Sequence, residues 1–297
     1  RLAHNMRGIG KIVATDIRVP PASAQLSGVE YVTLDVRNPA LADVLEKHSI
    51  DTVVHLAAIV TPGKGSNRDL EYSVDVLGTE NVLESCLKAG ASHFITTSSG
   101  AAYGYYADNP EWIDEGDAIR GNEEFAYSHH KRLVEEMLAR YRADHPELSQ
   151  LIFRPGMILG VSTSNQITNL FEKPWVLGLK GSDSPFAIIW DEDVVAALEK
   201  GIRERRQGVF NMAGDGKLTM REMAKIMGKP YIEVPVPVIT SALWVLKRAH
   251  LTQYGPDQVN FLRYRPVLAN RRLKEEFGYV PRKSTREVFE HYLANRS

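Results

Sequence analysis

Cysteine is almost missing from this chain: Cys86 is the single one among 297 residues. That excludes an intrachain disulfide framework and fits a reducing compartment. Charge of one sign is missing too. Lys and Arg number 36 and Asp and Glu 37, a net charge of -1, so no global field draws the chain to nucleic acid or to an anionic membrane. No apolar run approaches the roughly 20 residues that span a bilayer, and no secretory leader, internal repeat or low-complexity tract stands out. His4, His129 and His130 lack zinc-ligand spacing to other His or Cys residues. The expectation from these absences is a cytoplasmic globular protein with a small-molecule substrate, no metal, no nucleic-acid partner and no membrane partner.

What is present is ordinary globular composition, 43% hydrophobic and 25% charged, and length enough for one large α/β unit with an elaborated second lobe or for two small domains. Strand-like runs occur at 11–17, 29–36, 51–58, 93–99 and 148–156. "DTVVHLAA" (51–58) is nearly all apolar, as the interior of a parallel sheet requires. Between these runs lie helical patterns. Asn38-Pro39 predicts an N-cap and first helical position. Residues 69–90 place Leu70, Val74, Leu77, Val82 and Cys86 at helical spacing and stop at Gly90. A long amphipathic helix is predicted over 123–144. Strands alternating with helices predict a doubly wound, Rossmann-type parallel α/β sheet.

The second half is less regular. Residues 161–185 are polar, then aromatic. Residues 186–202 read as a strand entering a helix, and 208–214 as another strand. Thr219 with Glu222 and Ser284 with Glu287 are capping-box pairs. The apolar stretch 235–251 is expected to form a helical wall of a second lobe. "KRLVEE" and "RERR" read as solvated helix faces, and Asp191 and Asp193 as capping and positioning residues.

The chemistry concentrates in "YSHHK" (127–131). Tyr127 and Lys131 are one helical turn apart on one face. A phenol ionises near pH 10, too high for acid–base work at neutral pH, and an adjacent ammonium stabilises its phenolate. Such a pair suits proton transfer to or from an alcohol or carbonyl, although Tyr and Lys also meet at this spacing by chance. "TTSSGAAYG" (96–104) places hydroxyls where an α/β sheet opens its ligand crevice; the bland alternative is a Ser/Thr turn.

With these motifs in order, the sequence resembles the extended short-chain dehydrogenases/reductases, the NAD-dependent epimerase/dehydratase family. "DTVVHLAA", "VDVLGTENVLE", "SSGAAYG", "YSHHK", "FRPGMILG", "IIWDEDVVAAL", "GVFNMAGDGKLTMREM" and "RRLKEEFGYVP" carry the resemblance over essentially the whole chain. It implies Tyr127 as general acid/base, Lys131 as the residue that lowers its pKa and holds a ribose, and Ser99 as the catalytic hydroxyl, with Ser98 the near alternative. It implies NAD as cofactor. Asp16 would accept from the adenine ribose, with Ile17 and Arg18 beside it. Asp35 and Val36 would edge the adenine. Leu56, Ala57 and Ala58 would line the cofactor, with Thr97 and Ser98 near it and Pro155 and Met157 against the nicotinamide. It also implies a homodimer paired through the helices at 69–90 and 123–144. The expected domains are an NAD-binding lobe at 1–160, to which 186–214 return, and a substrate lobe from 161–185 and 215–297.

Departures bear on the substrate. Met157 stands where sugar-nucleotide epimerases usually carry Asn, Val60 where they often carry Lys, and Asp75 in place of the helix asparagine. No late arginine motif for a diphosphate is evident. The expected substrate is therefore less charged than a nucleotide sugar, facing Trp175, Phe186, Trp190 and Trp244. A nucleotide-sugar epimerase or dehydratase and a non-catalytic dinucleotide-binding regulator are the alternatives. Gly8-Ile9-Gly10 follows a helical stretch and precedes a strand, the reverse of a phosphate-binding fingerprint. The ribose acid normally lies about 20 residues after that fingerprint. Counting back from Asp16, the expectation is that roughly 15–30 further residues, a strand and a Gly-rich loop, precede Arg1.

Overall fold

The computed structural model describes residues 1–6, 8–60, 67–183, 185–249, 255 and 259–296. They form two compact units. The first comprises Arg1–Ser98, His130–Phe153 and Glu192–Val209; the second comprises Ser99–His129, Arg154–Asp191 and Phe210–Ser297.

Ten strands occur among the described residues: β1 (Ile12–Asp16), β2 (Val29–Thr33), β3 (Thr52–His55), β4 (His93–Thr97), β5 (Ser149–Pro155), β6 (Met157–Leu159), β7 (Val176–Leu179), β8 (Ile188–Trp190), β9 (Gly208–Met212) and β10 (Tyr231–Val234). β3, β4, β5 and β9 form a four-stranded sheet in that order. β3 pairs with β4, and β4 with β5, in parallel. β1 and β2 pair in parallel, with Asp16 opposite Thr33, as a separate two-stranded ribbon. The strand predictions hold, each trimmed at its ends where the chain leaves the sheet.

The first unit is packed by Val82, Leu83, Cys86, Phe94, Val134, Leu138, Leu148 and Ile152. Phe94, Leu83 and Leu138 are fully buried, each such side chain contributing about 1.5–3 kcal/mol. The helical segment from 68 is not one regular helix. It runs as α-helix over Arg68–Tyr72, as a π turn over Ser73–Leu77 and as α-helix again over Gly78–Ala89. Asn67 caps its start, and Gly90 at φ 71 ends it in the left-handed conformation that glycine adopts without penalty. The π turn rephases the apolar stripe. Val82 and Cys86 are buried as their spacing predicts, whereas Leu70 and Leu77 are exposed. The Asn38-Pro39 start is also corrected: the helix spans Leu41–Lys47 with Ala40 at its cap. Asn38 Oδ1 instead accepts from the Ala40 N–H at 2.9 Å, the local turn that an Asx side chain offers in competition with a cap.

In the second unit β6 pairs with β8 and β7 with β10, both in parallel. Leu159, Phe171, Phe186, Ile188, Leu218, Met223, Val288 and Phe289 form its main apolar cluster. Gly156 lets the chain cross β8 closely, because a Cβ there would lie 2.5 Å from the Ala187 carbonyl oxygen. Both capping boxes form, at Thr219/Glu222 and Ser284/Glu287. The expected helical wall takes another form. It is a helix, Val236–Arg248, with no buried residue; Val238, Trp244 and Val245 are each 56% exposed. Hydropathy marked the segment as apolar, but exposed apolar residues are common and only a covering partner makes a core.

Candidate active site

The first unit brings several of the expected residues to the carboxyl ends of parallel strands. Asp16 ends β1, exposed, with Oδ1 accepting from the Arg18 N–H at 2.8 Å. Ile17 and Arg18 are exposed beside it. Leu34 N–H donates to the Asp16 carbonyl, which sets Asp35 and Val36 next to that strand end. Asp35 is gripped by Arg37, whose Nε and Nη2 donate at 2.9 and 2.6 Å; the guanidinium holds this carboxyl down at about 2. Leu56, Ala57 and Ala58 follow β3, with Leu56 and Ala57 exposed.

Lys131 lies in this unit, buried on the helix Ala126–Asp144, and its Nζ donates to the Thr97 carbonyl at 3.2 Å. Burial lowers its pKa, while the carboxylates of Asp75 and Glu135 act in the opposite direction. Asp75, on the π turn, is itself buried. Its Oδ1 accepts from the Ile59 N–H at 2.8 Å and its Oδ2 lies 3.4 Å from His130 Nδ1. His55 Nε2 stands 3.0 Å from Thr79 Oγ1, which donates to the Asp75 carbonyl at 2.6 Å. Burial, and secondarily the Lys131 charge, pushes the His55 imidazole down to about 4, so it is neutral at pH 7. A buried cation therefore sits in a cluster containing a carboxylate and a neutral imidazole, beside the end of β4. Ser98, one residue beyond, has a buried hydroxyl with no hydrogen-bond partner among the described residues.

The second unit holds Ser99, Tyr127, Pro155 and Met157. Ser99 Oγ accepts from the Ala101 N–H at 3.1 Å and caps the short helix Gly100–Tyr103. Sequence reasoning passed over Ser128, fully buried, whose Oγ donates to the Ala101 carbonyl at 2.6 Å and accepts from the Asn122 N–H at 3.0 Å. These bonds fasten the loop that carries Ser99 to the residue next to Tyr127. The only signal for this was its place inside "YSHHK". Pro155 ends β5, and Met157, on β6, packs against the main apolar cluster.

Tyr127 belongs to an aromatic group. Its ring lies 6.1 Å from Phe125, which is 4.1 Å from Phe261 and 5.9 Å from Tyr105. Phe261 precedes Leu262, and Leu262 and Arg265 line a cavity of about 210 Å³ with Leu170, Trp175, Met220 and Tyr231. Arg265 was missed in the sequence, where "RYRP" matches no simple motif. Its guanidinium lies 4.1 Å over the Phe186 ring, its Nε is buried without a hydrogen-bond partner among the described residues, and burial lowers its pKa to about 10. Burial likewise pushes the Tyr105 phenol up to about 12. Of the four aromatics expected to face substrate, Trp175 lines this cavity and is 41% exposed, Phe186 is buried, Trp190 lies under Arg282 and Lys283, and Trp244 is exposed.

Gly8 and Gly10 stand in the turn between the helix Leu2–Asn5 and β1. They open no helix, as their order in the sequence predicts.

Residues 3–173, more than half of the chain, match the NAD dependent epimerase/dehydratase family. The chain belongs to this family. An uncharacterised family relative from Mycobacterium tuberculosis is 27% identical over 100% of the chain and 79% of its own length. The D-erythronate dehydrogenase of Haemophilus influenzae is 30% identical over 47% of the chain and 44% of its own length. Among solved structures, the Bordetella bronchiseptica enzyme WbmG in complex with NAD and UDP superposes with a TM-score of 0.75, at 16% identity, over 99% of this chain and 88% of that one. Likeness at that identity fixes the fold: parallel strands, helices and a Rossmann-type α/β organisation.

Proposed function

We propose that the protein is an NAD-dependent oxidoreductase that passes hydride between NAD and a substrate alcohol or carbonyl. The observation that carries this reading is Lys131, a buried cation tied to the end of β4 and one turn from Tyr127 on a single helix. In the oxidative direction Tyr127, as phenolate, accepts the hydroxyl proton. Lys131 keeps that phenolate within reach of neutral pH, and Ser99 steadies the substrate oxygen. Bound NAD would supply the hydride acceptor.

The residues fit the two ends of the cofactor. Asp16 offers an exposed carboxylate to the adenine ribose, which disfavours a 2′-phosphate and hence NADP. Ile17, Arg18, Asp35 and Val36 border that end. Leu56, Ala57, Ala58, Thr97 and Ser98 would border the rest within the first unit, and the Ser98 hydroxyl, without a hydrogen-bond partner among the described residues, is the kind of buried group a bound polar ligand satisfies.

For the substrate, we infer an apolar body rather than a typical nucleotide sugar. Met157 packs on the apolar cluster, and the cavity beyond Phe261 is lined largely by Leu170, Trp175, Met220 and Leu262. A second reading, an NAD-dependent nucleotide-sugar epimerase or dehydratase, is favoured by two observations. The unpaired Nε of Arg265 at that cavity suits an anionic group, and the Bordetella enzyme is a complex with UDP. A homodimer is proposed through the exposed Leu70, Tyr72 and Leu77.

The test is Tyr127→Phe. Titration should show near-unchanged NAD affinity, while NAD reduction falls roughly 10²–10⁴-fold; unchanged turnover would sink the mechanism. Screening NAD reduction with hydroxysteroids, secondary alcohols and sugar nucleotides separates the two substrate readings. A nucleotide sugar as best substrate selects the second.

A further inference from the structure

The cavity beyond Phe261 lies wholly within the second unit. Val176 and Leu179, on β7, are its buried lining, and Leu170 and Trp175 its exposed lining. Tyr231 forms a fixed wall. A Cβ at Gly178 would overlap the Tyr231 ring, so only glycine leaves room for it. The Arg221 guanidinium lies 4.5 Å from the centre of that ring and is itself held by Glu233 at 2.7 Å. The volume is about 210 Å³, room for about seven groups of water size at about 30 Å³ each. A base, ribose and diphosphate together need far more.

The polar groups are few. Among the described lining residues only Lys173, Ser182, Tyr231 and Arg265 have polar side chains. Ser182 spends its hydroxyl on the Arg263 carbonyl at 2.9 Å, and Lys173 is exposed. No Asn, Gln, Asp or Glu is there to pair with the edge of a base. Arg265 is different. Its Nε is buried with no hydrogen-bond partner among the described residues, and its guanidinium lies on the Phe186 ring. Its charge also acts on the Tyr105 phenol, whose ring packs on Phe125 and Phe261 at 5.9 and 4.8 Å. The cation thus adjoins both the cavity and the aromatic group that holds Tyr127. A buried charged donor without a partner is costly, and a carboxylate satisfies it best.

We propose that the cavity holds an apolar carboxylic acid, with its carboxylate on Arg265 and its aliphatic or aryl body against Trp175, Met220 and Leu262. Its size is about seven to nine heavy atoms. This rests on the apolar-substrate reading and narrows it to hydroxy acids and their oxo counterparts. One class of molecule then answers both the apolar lining and the buried cation. In oxidation the alcohol carbon gives hydride to NAD and its hydroxyl gives a proton to Tyr127; the carboxylate is unchanged.

The test is binding of hexanoate to the full chain without NAD, read by tryptophan fluorescence, because Trp175 lines the cavity. Hexanol supplies the same body without the charge, and UDP supplies the rival anion. Hexanoate should bind roughly 10–100-fold more tightly than hexanol. Arg265→Gln should lower hexanoate to the level of hexanol and leave hexanol binding as before, which also reports that the variant is folded. Trp175→Phe should remove the fluorescence change. Tyr127→Phe should bind hexanoate unchanged, so failure of the hydride reaction and failure of this site are told apart. Three results would overturn the proposal, whatever becomes of Arg265→Gln: no binding of hexanoate, equal binding of hexanoate and hexanol, or displacement of hexanoate by a lower concentration of UDP.

Discussion

Asp75 in the first unit and Glu115 in the second are both buried carboxylates, and their surroundings differ. Asp75, in the first, is 4% exposed and is surrounded by partners for a charge: a backbone N–H, the His130 ring and, in the same cluster, the Lys131 ammonium. Glu115, in the second, is 9% exposed and accepts from the Asn211 N–H at 2.7 Å. The nearby Arg154 spends its Nη1 on the Tyr103 hydroxyl and the Glu115 backbone carbonyl rather than on the carboxylate. Burial pushes Glu115 up to about 7. The first carboxylate faces a donor N–H, an imidazole and a buried ammonium. The second accepts a backbone N–H, and burial holds its pKa up. Burial alone therefore does not define the setting of an acid; what faces it does.

Removing Asp75 should break this contrast most severely. Asp75→Leu leaves Lys131 and His130 buried without their carboxylate and should cost about 3–5 kcal/mol in urea unfolding. Asp75→Asn keeps an acceptor for the Ile59 N–H and should cost less. Its signature is in catalysis. Without the carboxylate that supports its ammonium, Lys131 loses its proton at lower pH, so the alkaline limb of kcat/KM should move to lower pH. A uniform loss of activity with no shift of that limb would reduce Asp75 to a purely structural role.

Glu115 predicts a smaller effect with a definite sign. Its folded pKa, about 7, exceeds the roughly 4.3 of an unfolded glutamate. Between those values the unfolded chain has released the proton and the native protein still holds it. Stability therefore falls as pH rises from about 4.3 through 7, and the loss is complete above 7. Glu115→Gln should raise stability at pH 8 by up to about 2 kcal/mol and change it little at pH 4. Equal urea midpoints for the two proteins at pH 8 would show that Glu115 is an ordinary carboxylate. The smallest effect belongs to an exposed acid-bearing motif. Ser284→Ala, which opens the last capping box, should cost about 1 kcal/mol at any pH where Glu287 is charged.

The local signals were legible in the sequence. Apolar runs locate β1 to β5, the two capping boxes announce their helices, and "YSHHK" places Tyr127 and Lys131 one turn apart. The misreadings all concern what another part of the chain does to a segment. The π turn at Ser73–Leu77 adds a residue to a helical period, so Leu70 and Leu77 leave the stripe their spacing assigned. Asn38 finds a nearer N–H to bond than a helix start. The helix Val236–Arg248 has the hydropathy of a wall of the second lobe but no buried residue. Arg265 has no motif of its own; it becomes notable only because folding seats it over Phe186 beside a cavity. Ser128 matters through two bonds to residues far from any pattern it belongs to.

The separation of the β1–β2 ribbon from the four-stranded sheet has a consequence for solubility. Among the described residues β1 pairs with β2 alone, and β3 with β4 alone. Each therefore has one side of its backbone without a strand partner among those residues. Edges of this kind recruit strands from other molecules unless something lies across them. Exposed Ile17 and Leu56, just beyond the ends of those strands, add apolar surface to the same region. A strand laid along those two edges would pair their backbone groups and cover the apolar side chains at their ends.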